Sequence, residues 1–171
     1  WTYWILATIP AVLFALLFKN FIEQAFSSYL ALSIAFLFTG FIILSTKFAK
    51  RKSKLNSKNA VTIGLFQMFA LFPGVSRSGM TISSSLLSGI EKEQATKFSF
   101  LLFVPLAIGA MILEIGNAYF SLNLAIAFIF CFLLSLVFLN LILLIVKKGY
   151  FWMFSIYCFI IGVISLILYL I

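Results

Sequence analysis

Between two short apolar pieces the chain reads PGVSRSGMT, from Pro73 to Thr81: an arginine, two serines and a threonine set among glycines. Arg77 is the demanding member, because a guanidinium at membrane depth costs at least about 2.5 to 3.5 kcal/mol. No Asp or Glu occurs between Ala60 and Gly89, so its counter-charge comes from another helix, from outside these residues or from a ligand. Snorkelling to the surface is the alternative, but a residue at the tip of a buried turn has no short route there. Pro73 and Gly74 turn the chain, and Ser76, Ser78 and Gly79 lead into a helix whose first N–H groups are unpaired. Free N–H donors, a partial positive charge, hydroxyls and an arginine fork make a cradle for an oxyanion, a phosphate above all. Further on, Ser78, Thr81, Ser85 and Ser88 fall at offsets of three, four and three, the spacing of one helix face. Ser83, Ser84, Ser85 and Ser88 read as small hydroxyl residues that let helices pack closely.

The elements that position this segment are read from the apolar runs. Ala60 to Phe72 and Met80 to Leu87 flank it, and neither is as long as the roughly 20 residues a span needs. The expectation is a re-entrant hairpin of two half-helices over residues 60–89, with a single kinked span as the alternative. Trp1 to Phe18, Tyr29 to Phe48, Gln94 to Ile115, Leu122 to Val146 and Phe151 to Ile171 are long enough to cross or nearly so. Pro10 and Pro105 sit inside two of them, where neighbouring helices tolerate a kink. Lys19 to Ser28 mixes polar and apolar residues and suits a short interfacial turn. The chain of 171 residues is 64% hydrophobic and 9% charged, with a mean hydropathy of +1.22 and 22 phenylalanines. Those values exclude an ordinary soluble domain and predict an all-α integral membrane protein, a polytopic helical bundle forming one membrane domain.

A net charge of +8 would fit a nucleic-acid binder if it were spread over a surface, but six of the twelve basic residues lie between Lys47 and Lys58. With a hairpin that returns to its own side, Lys47 to Lys58, Lys92 to Lys97 and Lys147 to Lys148 share one face, which then carries ten of the twelve. That face is expected to be cytoplasmic, with Lys19 opposite it, Trp1 starting inside and Ile171 ending outside. No nucleic-acid partner is expected; anionic lipid headgroups are. Cys131 and Cys158 stand alone in apolar runs and read as packing residues. The chain opens inside an apolar run without Met or a leader pattern, so the natural start is expected upstream.

The stretch LFQMFALFPGVSRSGMTISSSLLSGIEKEQATKFSFLLFVPLAIGA resembles the second signature region of the undecaprenyl-diphosphatase (bacitracin-resistance protein) family, and the PG-x-SRSG-x-T core is its most specific part. WILATIPAVLFALLFKNFIEQAFSS resembles an earlier span and its loop, and KKGYFWMFSIYCFIIGVISLIL resembles the final helix. The resemblance implies an inverted-repeat fold: residues 1–48 as two helices of the first repeat, 49–58 as a basic cytoplasmic loop, and 59–171 as a second repeat of the hairpin and three spanning helices. It implies hydrolysis of undecaprenyl diphosphate to the monophosphate, recycling the lipid carrier of peptidoglycan synthesis, by a multi-pass protein of the bacterial inner membrane. Ser76, Arg77 and Ser78 match the family's active-site residues and Thr81 the threonine after them. With Gly74 and Gly79 these form the expected phosphate-binding set, and Gln67 matches a polar position in the first half-helix. The family's other signature, a glutamate-containing hairpin ending in a histidine, is absent, and the chain has no His. Glu23, Glu91, Glu93 and Glu114 are the only carboxylate side chains and read as solvated or interfacial. The implied picture is an N-terminally truncated or degenerate member holding half of a site. The missing segment of the same protein would supply the acid or base and the ligands of any divalent cation, Mg or Ca. A polyprenyl diphosphate lipid is the implied substrate, and a homo-oligomer is left open. The rival readings are a lipid transporter or flippase, and a catalytically inactive membrane fragment.

Overall fold

Ser28, Asn56, Ser76 and Ser121 each stand just before an apolar or half-apolar run, and in the computed structural model of the chain each starts a helix by accepting a hydrogen bond from a first-turn N–H. The structure describes residues 2–25, 28–50, 53–114, 116 and 121–171. The helices are α1 (Thr2–Leu17), α2 (Lys19–Ala25), α3 (Tyr29–Ser45), α4 (Ser57–Phe69), α5 (Arg77–Leu87), α6 (Lys92–Glu114), α7 (Leu122–Lys148) and α8 (Phe154–Leu170). Single turns of 3₁₀ helix at Thr46–Phe48 and Phe151–Met153 extend α3 and precede α8. The described residues hold no strand. Tyr29–Phe48, Leu122–Lys148 and Phe151–Leu170 are long and apolar enough to cross a membrane, and Tyr3–Leu17 is a shorter apolar helix. The chain is an all-α membrane protein.

Small residues set the closest contact, an antiparallel pairing of α3 with α8. The buried Ser33 hydroxyl donates to the Gly162 carbonyl at 2.8 Å, the rings of Phe41 and Phe159 meet edge to face at 5.1 Å, and the Lys47 ammonium lies 4.6 Å from the centre of the Trp152 ring. A second pairing joins α1 to α4, burying Ala7 and Ile63 completely. Between these pairs stands α5, packed against α3, α4 and α6 and buried without interruption from Gly79 to Leu86. Ser83, Ser84 and Ser85 are buried in that packing, and the Ser84 and Ser85 hydroxyls donate to the Thr81 carbonyl at 3.2 and 2.6 Å.

Residues 57–87 form the expected hairpin, with its two limbs in contact and a seven-residue tip, Ala70 to Ser76, between them. Both limbs begin before the apolar pieces do, since Asn56 caps an α4 that begins three residues before Ala60 and Ser76 caps an α5 that begins three residues before Met80, while α4 also ends three residues before Phe72. The cap, rather than the first apolar side chain, decides where each helix begins. The open ends meet: the Ser53 N–H donates to the Gly89 carbonyl at 3.1 Å, so the chain enters and leaves the hairpin at the same level. Lys92 reaches the turn after α7, where a Cβ added to Gly149 would lie 2.7 Å from its Nζ. Together with Lys47 against Trp152, these contacts gather the three basic stretches at one end of the bundle. Arg51 and Lys52 of the basic loop, and Asn117 to Phe120, lie outside the described residues.

From the basic end the hairpin penetrates deep. Its tip packs on the remote part of α3, where a Cβ added to Gly74 would lie 3.0 Å from Leu32 and 3.1 Å from Phe36, and the Phe72 ring lies 6.0 Å from that of Phe14 near the end of α1. Along α3, Leu32 is about 20 Å of helix rise from the basic end, some two thirds of a bilayer's hydrocarbon thickness.

Candidate functional site

The turn into α5 is fixed by Ser76. Its backbone is extended, its carbonyl accepts from the Met80 N–H at 2.8 Å and its Oγ accepts from the Gly79 N–H at 3.1 Å. The N–H groups of Arg77 and Ser78 then stand in the first turn with no intrahelical acceptor, at the positive end of the helix dipole. Gly74 supplies the bend before it, with φ of 85°. A Cβ at Gly79 would lie 2.9 Å from Ser76 Oγ, so the first turn closes tightly over its cap.

Successive residues of a helix point about 100° apart, and here that separates the arginine from the serines. Arg77, half-buried, faces α1, α4 and α6 and lines a cavity of 430 Å³ with Gln67, Leu71 and Phe103. Its Cζ lies 5.1 Å from the centre of the Phe103 ring, within cation–π range. Ser76, Ser78 and Gly79 face the other way and line a cavity of 240 Å³ with Ile43, Tyr157 and Cys158.

Thr81 lines neither cavity. It is buried, its hydroxyl donates to the Arg77 carbonyl at 3.0 Å, and it shares a second hydrogen bond with the Ser99 hydroxyl of α6. In this position Thr81 braces the first turn of α5 against α6. Gln67 is 2% exposed, and neither its Oε1 nor its Nε2 has a hydrogen-bond partner among the described residues. Phe103 and Ser99 escaped the sequence reading. Phe103 is one of 22 phenylalanines and carries no distinguishing signal, whereas Ser99 is a lone hydroxyl inside FSFLLF that could have been noticed.

Among the described residues no Asp, Glu or His lines either cavity, and no three metal-ligating side chains come together. The guanidinium and the first-turn N–H donors suit an anion, and neither lining offers a hard cation a carboxylate. Glu93 belongs to the basic end: its Oε1 accepts from Lys97 Nζ at 2.7 Å, and that bond and charge, with the charge of Lys147, hold its carboxyl below the ordinary range. Ten residues of α6, about 15 Å, separate it from Phe103 and the arginine cavity. The side chains of Glu23 and Glu114 lie outside the described ones.

Residues 1–164 match the bacitracin resistance protein BacA family. The chain is similar to undecaprenyl-diphosphatase 1 of Bacillus cereus, 37% identical over 175 residues that cover 96% of this chain and 65% of that protein. It is 38% identical over 165 residues to the undecaprenyl-diphosphatase of Thermotoga maritima, covering 94% of this chain and 68% of the relative. Against the undecaprenyl-diphosphatase of Methanococcus maripaludis it is 40% identical over 159 residues, covering 91% and 64%. The chain thus spans about two thirds of the length of these relatives.

Proposed function

The chain belongs to the bacitracin resistance protein BacA family, and from that premise we propose that it carries the phosphate-binding part of a site that hydrolyses undecaprenyl diphosphate to undecaprenyl phosphate and inorganic phosphate. The observation that carries the reading is Arg77: a guanidinium beside the open N-terminus of α5, deep in a membrane hairpin, in a cavity with no carboxylate among its lining residues. A charge so placed needs an anion to offset its desolvation. The arginine fork and the first-turn N–H groups bind the terminal phosphoryl group and stabilise the charge that gathers on it in the transition state. Ser76 Oγ is already an acceptor for Gly79 N–H, which leaves its own O–H to donate to a phosphate oxygen. Ser78 shares its cavity and acts in the same way. Among the described residues no imidazole or carboxylate lines that cavity to activate a serine, and in this reading water is the nucleophile.

A lipid substrate fits the surroundings. Beside the arginine cavity, and sharing Val12 with it, lies an apolar cavity of 420 Å³ lined by Ile5, Ile9, Leu13 and Pro105, which would take part of a polyprenyl chain. The basic end is assigned to the cytoplasm of a bacterial cell by its lysines, and the hairpin then carries the phosphate site toward the outer leaflet. In the inverted repeat that the family resemblance implies, residues 59–171 form one repeat, and the groups that move protons and hold any divalent cation come from outside the described residues. Phosphate release from a polyprenyl diphosphate, measured with the protein at its natural length, tests the reading. Release above background supports hydrolysis, and transfer of the intact lipid between leaflets without phosphate release would make the protein a transporter instead.

A further inference from the structure

A carboxamide buried in an apolar interface normally has its hydrogen bonds made, since an unmade one costs about 1 to 3 kcal/mol. Among the described residues Gln67 breaks that rule twice, at Oε1 and at Nε2, although it is 98% buried in α4. It lines the same cavity as Arg77. A fully deprotonated phosphate held by Arg77 would satisfy the Nε2–H donor and leave the Oε1 acceptor unmet. The group that satisfies both atoms brings an O–H as well as a phosphoryl oxygen. Resting on the hydrolytic reading above, the geometry points to Gln67 as a catalytic residue: its Nε2–H donates to an oxygen of the terminal phosphoryl group and its Oε1 accepts from the attacking water. The water oxygen forms the new bond to the terminal phosphorus as the bond from that phosphorus to the bridging oxygen breaks. The electron pair of the broken bond stays with the departing polyprenyl monophosphate, and both protons of the water end on the inorganic phosphate. Gln67 neither gains nor loses a proton. It orients the water along the line opposite the leaving oxygen, where a misplaced nucleophile loses rate steeply.

The test uses the protein at its natural length, reading phosphate release from a prenyl diphosphate and the thermal midpoint of the wild type, Gln67→Met, Gln67→Glu and Arg77→Ala. Met matches the volume and flexibility of Gln without its polar atoms. A side chain that only filled the α1–α4 interface would be improved by that change, because the unmet amide is removed. The expected result is the opposite for catalysis: Gln67→Met keeps or raises the thermal midpoint while kcat falls about 10²-fold, with a much smaller change in KM. Gln67→Glu adds an independent reading, since a protonated carboxyl again offers one donor and one acceptor. Its activity relative to wild type rises as pH falls, and a packing role would leave that ratio flat. Gln67→Met with wild-type kcat, or a flat ratio for Gln67→Glu, overturns the inference while leaving the hydrolytic reading intact if the wild type is active and Arg77→Ala is not. A wild type that releases no phosphate overturns both.

Discussion

At Gly74 the backbone has φ of 85° and the Leu32 and Phe36 side chains lie about one Cβ contact away. An alanine there meets the steric penalty of left-handed backbone, about 1 to 2 kcal/mol, and must also push two packed residues of α3. Gly74→Ala is therefore expected to lower the thermal midpoint clearly. Gly109→Ala, in the interior of α6 where a Cβ would meet nothing within 4 Å, is expected to leave it unchanged or raise it. Equal effects at the two positions would remove the tip geometry from the account. Arg77 carries a second prediction at this scale. A lysine keeps the charge but loses the planar fork and the stacking on Phe103, so Arg77→Lys is expected to recover little of the activity lost in Arg77→Ala. Full phosphate release by the lysine variant would show that a point charge suffices. The demand of Arg77 for an anion was legible in its own sequence neighbourhood, because the cost of a buried guanidinium does not depend on tertiary detail. The division between Arg77 with Gln67 and Ser76 with Ser78 was not, since residue types adjacent in sequence do not show how the rotation of the first turn parts their side chains.

The hairpin was legible at the level of elements because two apolar pieces too short to span leave few alternatives, and the Ser53–Gly89 hydrogen bond closes its base. Its limits were less so, because Asn56 and Ser76 extend both limbs into residues that hydropathy alone assigns to loops. Single cysteines test the element directly, in a background where Cys131 and Cys158 are replaced. Lys54→Cys and Gln94→Cys, both exposed at the base of the hairpin, are expected to label from the same side of the membrane, and Ser121→Cys, at the far end of α7, from the other. Labelling of Lys54→Cys and Gln94→Cys from opposite sides would mean that residues 57–87 cross the bilayer as one kinked span. The contacts that turn the hairpin into a site, Thr81 with Ser99 and Arg77 with Phe103, join α5 to the next helix between residues more than a dozen positions apart. Nothing in the local pattern of either helix specifies that pairing.

Over the whole molecule, large apolar side chains face outward along α7 and α8 while the basic residues of three separate stretches meet at one end. An apolar belt with a basic end is the surface of a protein that lives in a bilayer and is oriented by its lysines. The protein is expected to stay with the membrane through an alkaline carbonate wash and to leave it only with detergent; release by carbonate would contradict the membrane assignment. The same arrangement places the Gly74 tip about 20 Å from the basic end along α3, and the arginine site about 15 Å from it along α6, within reach of a lipid diphosphate whose chain lies in the bilayer. The account as a whole rests on Arg77 binding the phosphate that is released. The most direct measurement is inorganic phosphate released from undecaprenyl diphosphate by the purified protein at its natural length, wild type against Arg77→Ala, with the thermal midpoints of both recorded. Loss of one charge-assisted contact to the transition state is worth roughly 3 kcal/mol, on the order of a hundredfold in kcat/KM. The predicted result is active wild type and an Arg77→Ala variant that folds equally well but is slower by about that factor, and hydrolysis at the wild-type rate by the folded variant would contradict it.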